Sequence, residues 1–585
     1  LIMSTNSSNL GLYAPPFVAD PYTADERYLL APFFTNLDQS VYVVLIPAPE
    51  LVGALLSRTS RAKGDLRTIF LKDYLLPSLN PVRSADDNDD SWAAKRAYAG
   101  HFRDFIDFLH LHSFADLFAN RKARDFYAKW LAQYGDDSIA QLAGTHLVFA
   151  GLSQIAIKHF EDMTLGIAPI EKSTRYVDYT EKLAGQYLYY TDPDLGDYQP
   201  KYQEAMDFMF DSYKTLIPQL TKYLSAEFPS EKPGVIEKKV FDTLRGLLPM
   251  STLSQVAFFL NGQAAEHLIN RSVKHPLGEI RWAAQRAQEE LSKVIPSFLL
   301  RLKEAKAENY QKYLATKHSR VSKHQQRCST EIINNNYDNF RERVELIEYD
   351  PNARQKIVTA ILYEVPGNQY SWSEIYDEIE TWSSRQLNKV IADYFKGRDQ
   401  RWQKAGSALE NSYVRFEIRI NIGAWRDLHR HRIQTQSRQS FSIHHGYDTP
   451  AELRKANLQE LYEIALDAVS ELFLDLETNL PVKKSIHNSS VLRSLIAQYS
   501  VCLAHRVLFV QYQNLRQALY EIGLRTIPAG HPDYREPEQA KARILAKVYP
   551  WLAPYIIADF NEYDFARRGE SAKIASKEQR LLNDK

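Results

Sequence analysis

Cysteine is nearly absent: Cys328 and Cys502 are the two in 585 residues, far apart and with no CxxC partner. This excludes a disulfide framework and any cysteine-rich zinc site, and it fits a reducing compartment. An excess of charge of one sign is missing as well, because Lys+Arg and Asp+Glu both total 72. No global field therefore draws the chain to nucleic acid, a membrane surface or a polyanion, and any anion site must be local. No apolar run approaches the roughly 18 residues of a spanning helix. The opening LIMSTNSSNLGLY lacks the basic and long apolar regions of a secretory signal, so a cytoplasmic chain with no membrane or nucleic-acid partner is expected. Neither GxGxxG nor GxxxxGK occurs, which removes the dinucleotide fingerprint and the P-loop.

What is present is ample apolar material, 44% of the chain, more than one core can use at this length. SVYVVLI (40–46) reads as a strand, and 97–118, 201–225 and 286–308 carry helical periodicity. In YVRFEIRINI, Val414, Phe416, Ile418 and Ile420 alternate with Arg415, Glu417 and Arg419, the period-two pattern of a strand with one wet face; Gly423 then opens a short helix. Residues 306–340 turn polar and read as a connection. The expected division is an extension (1–39), a first repeat (40–305), this connection, and a second repeat (341–585). The repeat shows in two apolar stretches, 255–271 and 507–525, each read as a long helix passing through an Asn and each followed by His-Pro, at His275-Pro276 and His531-Pro532.

The densest chemistry lies in RHRIQTQSRQS (430–440). Arg430, His431 and Arg432 sit where a helix ends, and cations commonly gather there to offset the helix dipole. Further features favour a site: Ser440 follows Arg432 after seven residues, Asn514 and Arg516 lie in the later apolar stretch, and Gly523 reads as the end of that helix, with Arg525 just beyond. Every basic group here is Arg or His, and arginine forks grip phosphate bidentately, so a phosphorylated ligand is indicated. Metal is not expected: His429 and His431, two apart on a helix, face different ways, no carboxylate or cysteine spacing supports them, and His444 and His445 read as ordinary loop residues. The abundant aromatics, 12% of the chain, are accounted for by core packing.

RHR, seven residues, then Ser, together with the downstream NLRQALYEIGLR, resembles the signature of the flavin-dependent thymidylate synthases. The similarity covers most of residues 40–570, as a tandem two-repeat member would. It implies an α+β fold of two diverged repeats, each a small mixed or antiparallel sheet flanked by long helices. It also implies FAD as cofactor, dUMP as substrate, and methylenetetrahydrofolate and NADPH as co-substrates. By the same resemblance Arg430, His431, Arg432, Asn514, Arg516, Ser407 and Glu410 contact the flavin, and Arg430 and Ser440 also lie by the nucleotide. Arg525 falls where the family places the arginine that stabilises ionised uracil N3, a cation that needs no reorganisation as charge develops.

The second repeat departs from the family in its nucleotide loop, SRQSFSIHH, where Arg438 replaces an acid and Ser442-Ile443 replace Arg-Tyr. The first repeat has the reverse defect. IEKSTRY keeps Glu171, Ser173, Arg175 and Tyr176, while Met163, Thr164 and Leu165 stand at the RHR positions and Ser272 stands near that of Arg525. One composite site per chain is the expectation, with Glu171 serving both flavin and nucleotide and with Ser173 and Arg175 serving the nucleotide; two chains would pair as a homodimer with four repeats. Arg245, Gln498 and Asp427 depart from this complementarity. A catalytically silent flavin-binding homologue or scaffold, and a methylase of another pyrimidine nucleotide, stand as alternatives.

Overall fold

The computed structural model describes residues 10–112, 120–133, 137–334, 343–482 and 488–565. The start of the N-terminal extension, the end of the helix expected over 97–118 and the last residues of the polar connection lie outside them. The chain forms two compact units, each discontinuous in sequence: the described parts of 1–220, 240–336 and 455–502 make one, and those of 221–239, 337–454 and 503–585 make the other.

The first unit holds a four-stranded antiparallel sheet of β1 (Val41–Val44), β2 (Gly144–Ser153), β3 (Ile167–Glu171) and β4 (Leu253–Asn261), in the order β1-β2-β4-β3. Helix α1 (Gln154–Glu161) follows β2, while α2 (Gly262–Ser272) and α3 (Gly278–Val294) follow β4. The segment 455–502 is tied into this unit by Met250 N–H donating to Val501 O (2.7 Å), by Ser251 N–H donating to Tyr499 O (3.0 Å), and by the Tyr499 phenol donating to the fully buried Glu279 carboxylate (2.8 Å). Glu279 also accepts from Ser153 N–H and Oγ (2.8 and 2.6 Å), and burial pushes its carboxyl up to about 7.

The second unit repeats this order as β5-β6-β8-β7, with β5 (Val344–Tyr349), β6 (Tyr413–Asn421), β7 (Thr435–Arg438) and β8 (Arg506–Asn514) all antiparallel. Helix α4 (Ile422–Leu428) follows β6, and α5 (Leu515–Arg525) and α6 (Pro532–Val548) follow β8. The alternation expected in β6 is present: Val414, Phe416, Ile418 and Ile420 are fully buried, and each contributes roughly 1.5–3 kcal/mol of apolar burial. The α+β, two-repeat architecture is therefore as expected.

Two local expectations are corrected. The stretches 255–271 and 507–525 are not continuous helices; each is a strand that ends at its Asn and becomes a helix there. Asn261 and Asn514 are N-caps, accepting from the N–H groups of Ala264 and Gln517 at 2.8 Å, which satisfies a donor the new helix leaves unpaired. The period-two pattern of β8 is disguised because Gln511 and Gln513 occupy core-facing positions. Gly523 does not end α5, which runs on through Arg525 with Thr526 as its C-cap. The polar connection is helical over Ala305–Asn334, a composition rich in Ala, Lys, Glu and Gln, which are strong helix formers.

Candidate functional site

In the second unit, α4 stops at Leu428 and the RHR run leaves it in a turn, with His431 N–H donating to Leu428 O at 3.2 Å. The three side chains separate. Arg430 and Arg432 are exposed, and Arg430 makes no hydrogen bond or ion pair among the described residues; His431 is buried at 7% exposure. The His431 Nε2 accepts from Arg525 Nε at 2.8 Å, and Nδ1 lies 3.2 Å from the Gln517 amide. An imidazole accepting at Nε2 must be neutral with its proton on Nδ1, so the Gln517 carbonyl oxygen is its natural partner there. Burial, with Arg525 acting in the same sense, pushes the imidazole down to about 4 despite the nearby Glu521 carboxylate.

Arg525 is thus anchored by one nitrogen. Its guanidinium sits over the Tyr534 ring at 5.6 Å, and Nη1 and Nη2 have no protein partner among the described residues. A planar cation fixed at Nε with two open donors is suited to a planar or bidentate anion.

Beneath this pair lies a buried polar set that the sequence reading did not identify. Lys541 Nζ donates to Glu538 Oε1 and Gln511 Oε1, each at 3.0 Å, and lies 3.6 Å from Glu521 Oε2. Glu521 accepts from Gln511 (3.2 Å) and Gln513, and its Oε1 is 4.0 Å from His431 Nε2. Glu521, Glu538, Lys541, Gln511 and Gln513 are all fully buried. Burial pushes Glu538 up to about 7 against the pull of Lys541, while the cations Lys541 and Arg525 outweigh burial and hold Glu521 low. The signal available in sequence was the comparison of repeats. At the matching positions of β4, α2 and α3 the first repeat carries Phe258, Leu260, Leu268, Ala284 and Ala287.

On the same unit an open cleft of about 560 Å³ is lined by residues including Lys356, Glu410, Tyr413, Ile433, Gln434 and Asn514. Tyr413 and Tyr512 pack with ring centroids 5.3 Å apart at its wall. Arg516 donates to Ala405 O (2.8 Å) and to Glu410 (2.5 Å), which fixes both beside the cleft; Ser407 donates to Glu364 at 3.2 Å. Glu410, Asn514 and Arg516 are therefore brought together, whereas Ser440 is exposed on its strand's continuation. The cleft's size falls in the range of small-molecule sites. Its aromatic wall, its amides and the cation Lys356 fit a flavin nucleotide's ring and phosphates. Arg438, the residue in place of the loop acid, lies over Phe441 (4.3 Å) and Trp425 (5.1 Å).

In the first unit Arg175 is 8% exposed and bidentate with Asp242, Nε and Nη2 each donating at 2.8 Å; Arg245 lies 3.7 Å from the same carboxylate. Ser173 Oγ accepts from Arg175 N–H at 3.2 Å. Glu171 ends β3 and is buried against Lys158 (2.8 Å), which also binds Glu161 (2.5 Å). Ser272, at the position matching Arg525, lies 3.0 Å from His159 Nε2 and donates to Leu268 O. Among the described residues, no cluster of three or more His, Cys, Asp or Glu side chains could hold a metal, and no helix is long and apolar enough to cross a membrane.

Comparison with known proteins gives a matching description. The family model "Thymidylate synthase complementing protein" matches twice, over residues 83–297 and 345–551. A UPF0159 protein of Chlamydia pneumoniae is 30% identical over 95% of this chain and 98% of its own length. One from Chlamydia muridarum is 28% identical over 94% and 98%, and one from Thermoplasma acidophilum is 26% identical over 76% and 91%.

Proposed function

Because the chain belongs to the family of thymidylate synthase complementing proteins, we propose that it is an FAD-dependent thymidylate synthase, converting dUMP to dTMP with methylenetetrahydrofolate and NADPH. The observation that carries this reading is Arg525, locked through Nε to a neutral His431 with both terminal nitrogens open. Deprotonation of uracil N3 pushes electron density toward C5, and a guanidinium already in place stabilises the developing anion without reorganising.

Bound flavin would supply the redox chemistry and carry the one-carbon group. The cleft beside Asn514 and Glu410 is its assigned place: Tyr413 and Tyr512 offer ring faces, Asn514 and Gln434 offer amides, and Lys356 offers a cation to phosphate; Arg430 is assigned to the flavin by the family resemblance. Arg432, Ser407 and Arg516 are assigned to the same cofactor, His431 acts through Arg525, and Ser440 and Arg430 stand on the nucleotide side. The remaining nucleotide contacts are assigned to Glu171, Ser173 and Arg175, because the first repeat keeps the loop that the second has lost. One composite site per chain and a homodimer of two-repeat chains complete the proposal.

The broken loop SRQSFSIHH favours a second reading, a silent flavin-binding homologue. Rescue of a thymidine auxotroph separates the two. Wild type should rescue, and Arg525→Ala and Arg175→Ala should not; flavin binding without rescue would establish the silent homologue, and rescue by Arg175→Ala at the wild-type level would reject the composite site.

A further inference from the structure

The buried set beneath Arg525 is costly. Two carboxylates and an ammonium withdrawn from water generally contribute less stability than apolar groups of the same volume. The first repeat shows that the scaffold does not need them. It builds the same nine-residue strand, 11-residue helix and 17-residue helix with Phe258, Leu260, Leu268, Ala284 and Ala287, all fully buried, where the second has Gln511, Gln513, Glu521, Glu538 and Lys541. The polar set occurs in the repeat that carries His431 and Arg525, and is replaced by hydrocarbon where Thr164 and Ser272 stand instead.

Its geometry gives it a task. Glu521 lies one helical turn before Arg525 on the same face of α5. Its Oε1 faces, at 4.0 Å, the same His431 nitrogen that receives the Arg525 hydrogen bond. Gln511, Gln513 and Lys541 hold the carboxylate from below. We propose that Glu521 is a positioning residue for Arg525: its fixed negative charge draws the guanidinium inward onto His431 Nε2, so that Nη1 and Nη2 are presented to the nucleotide in one pose. This rests on Arg525 as the nucleotide-activating cation.

The test uses the full chain and measures three quantities for each variant: dUMP affinity, FAD affinity from the flavin absorbance change, and melting temperature. Arg525→Ala and Glu521→Gln should each weaken dUMP about 10- to 100-fold, the scale of a misplaced positioning contact, while FAD affinity stays within about 3-fold. Glu521→Asp, which keeps the charge, should recover most of the loss. The combined variant Gln511→Phe, Gln513→Leu, Glu521→Leu, Glu538→Ala, Lys541→Ala copies the first repeat; it should melt no lower than Glu521→Gln yet bind dUMP no better. Wild-type dUMP affinity in Glu521→Gln or in the copied core, with Arg525→Ala defective, overturns the positioning role alone. Wild-type affinity in Arg525→Ala overturns the reading of the site, and this inference with it.

Discussion

The two repeats build one topology around different interiors. In the first, β4 and α2 close over Phe258, Leu260 and Leu268; in the second, β8 and α5 close over Gln511, Gln513 and Glu521, with Lys541 and Glu538 from α6. Strand order, Asn caps and helix lengths are shared, so they belong to the fold. The Gln511, Gln513, Glu521, Glu538 and Lys541 set and the arginine above it are confined to one copy, so they belong to what that copy does. Duplication provides the control that a single domain lacks: Arg525 and every residue of the buried set beneath it each have a counterpart position that folds without it.

The largest effect is expected from Lys541→Met. It leaves Glu521 and Glu538 buried without their cation and should cost about 3–5 kcal/mol in urea unfolding, as breaking a buried ion pair does. Lys158→Met, which strips Glu161 and Glu171 in the first unit, should cost a similar amount. A loss below about 1 kcal/mol at either lysine, the worth of an exposed pair, would contradict the buried-charge description. Next, Arg525→Ala should lower turnover about 10²- to 10³-fold, whereas Ser272→Ala at the matching place should leave it unchanged; equal effects would erase the functional asymmetry.

A third test concerns Glu279, in the first unit. Its folded pKa is raised, so the native state retains a proton that the unfolded chain releases between the ordinary carboxylate range and about 7. Stability must fall as pH rises through that window and level off above it. The Glu279→Gln variant should lose about 3 kcal/mol of that fall, measured by denaturation at pH 5 and pH 8; an unaltered slope would refute the assignment. The smallest effect compares the caps. Asn261→Ala and Asn514→Ala should each cost about 1 kcal/mol, but Asn514→Ala should also weaken FAD binding, since that side chain lines the cleft.

The shared parts of this comparison were mostly legible in sequence. β6 announced itself because its buried face is purely aliphatic and aromatic, and β1 because it is a short β-branched run. The stretches 255–271 and 507–525 read as helix because their strands run directly into helices, and in β8 the glutamines at core positions hide the alternation. Arg430, His431 and Arg525 stood out as clustered cations. Nothing local set Glu521, Glu538 or Lys541 apart: in PEQAKAR, Glu538 and Lys541 have the spacing of an exposed helical ion pair. That they are buried depends on α6 packing against α4, α5 and strand β6, a long-range fact. The separate fates of the RHR side chains follow from the helix ending at Leu428, two residues before the run.

Conversion of dUMP by the purified chain, supplied with FAD, methylenetetrahydrofolate and NADPH, bears most directly on the central claim. Wild type should form dTMP, and Arg525→Ala should retain flavin but make none above about one hundredth of that rate. Flavin-loaded wild type that yields no dTMP, or Arg525→Ala that matches wild type, would contradict it.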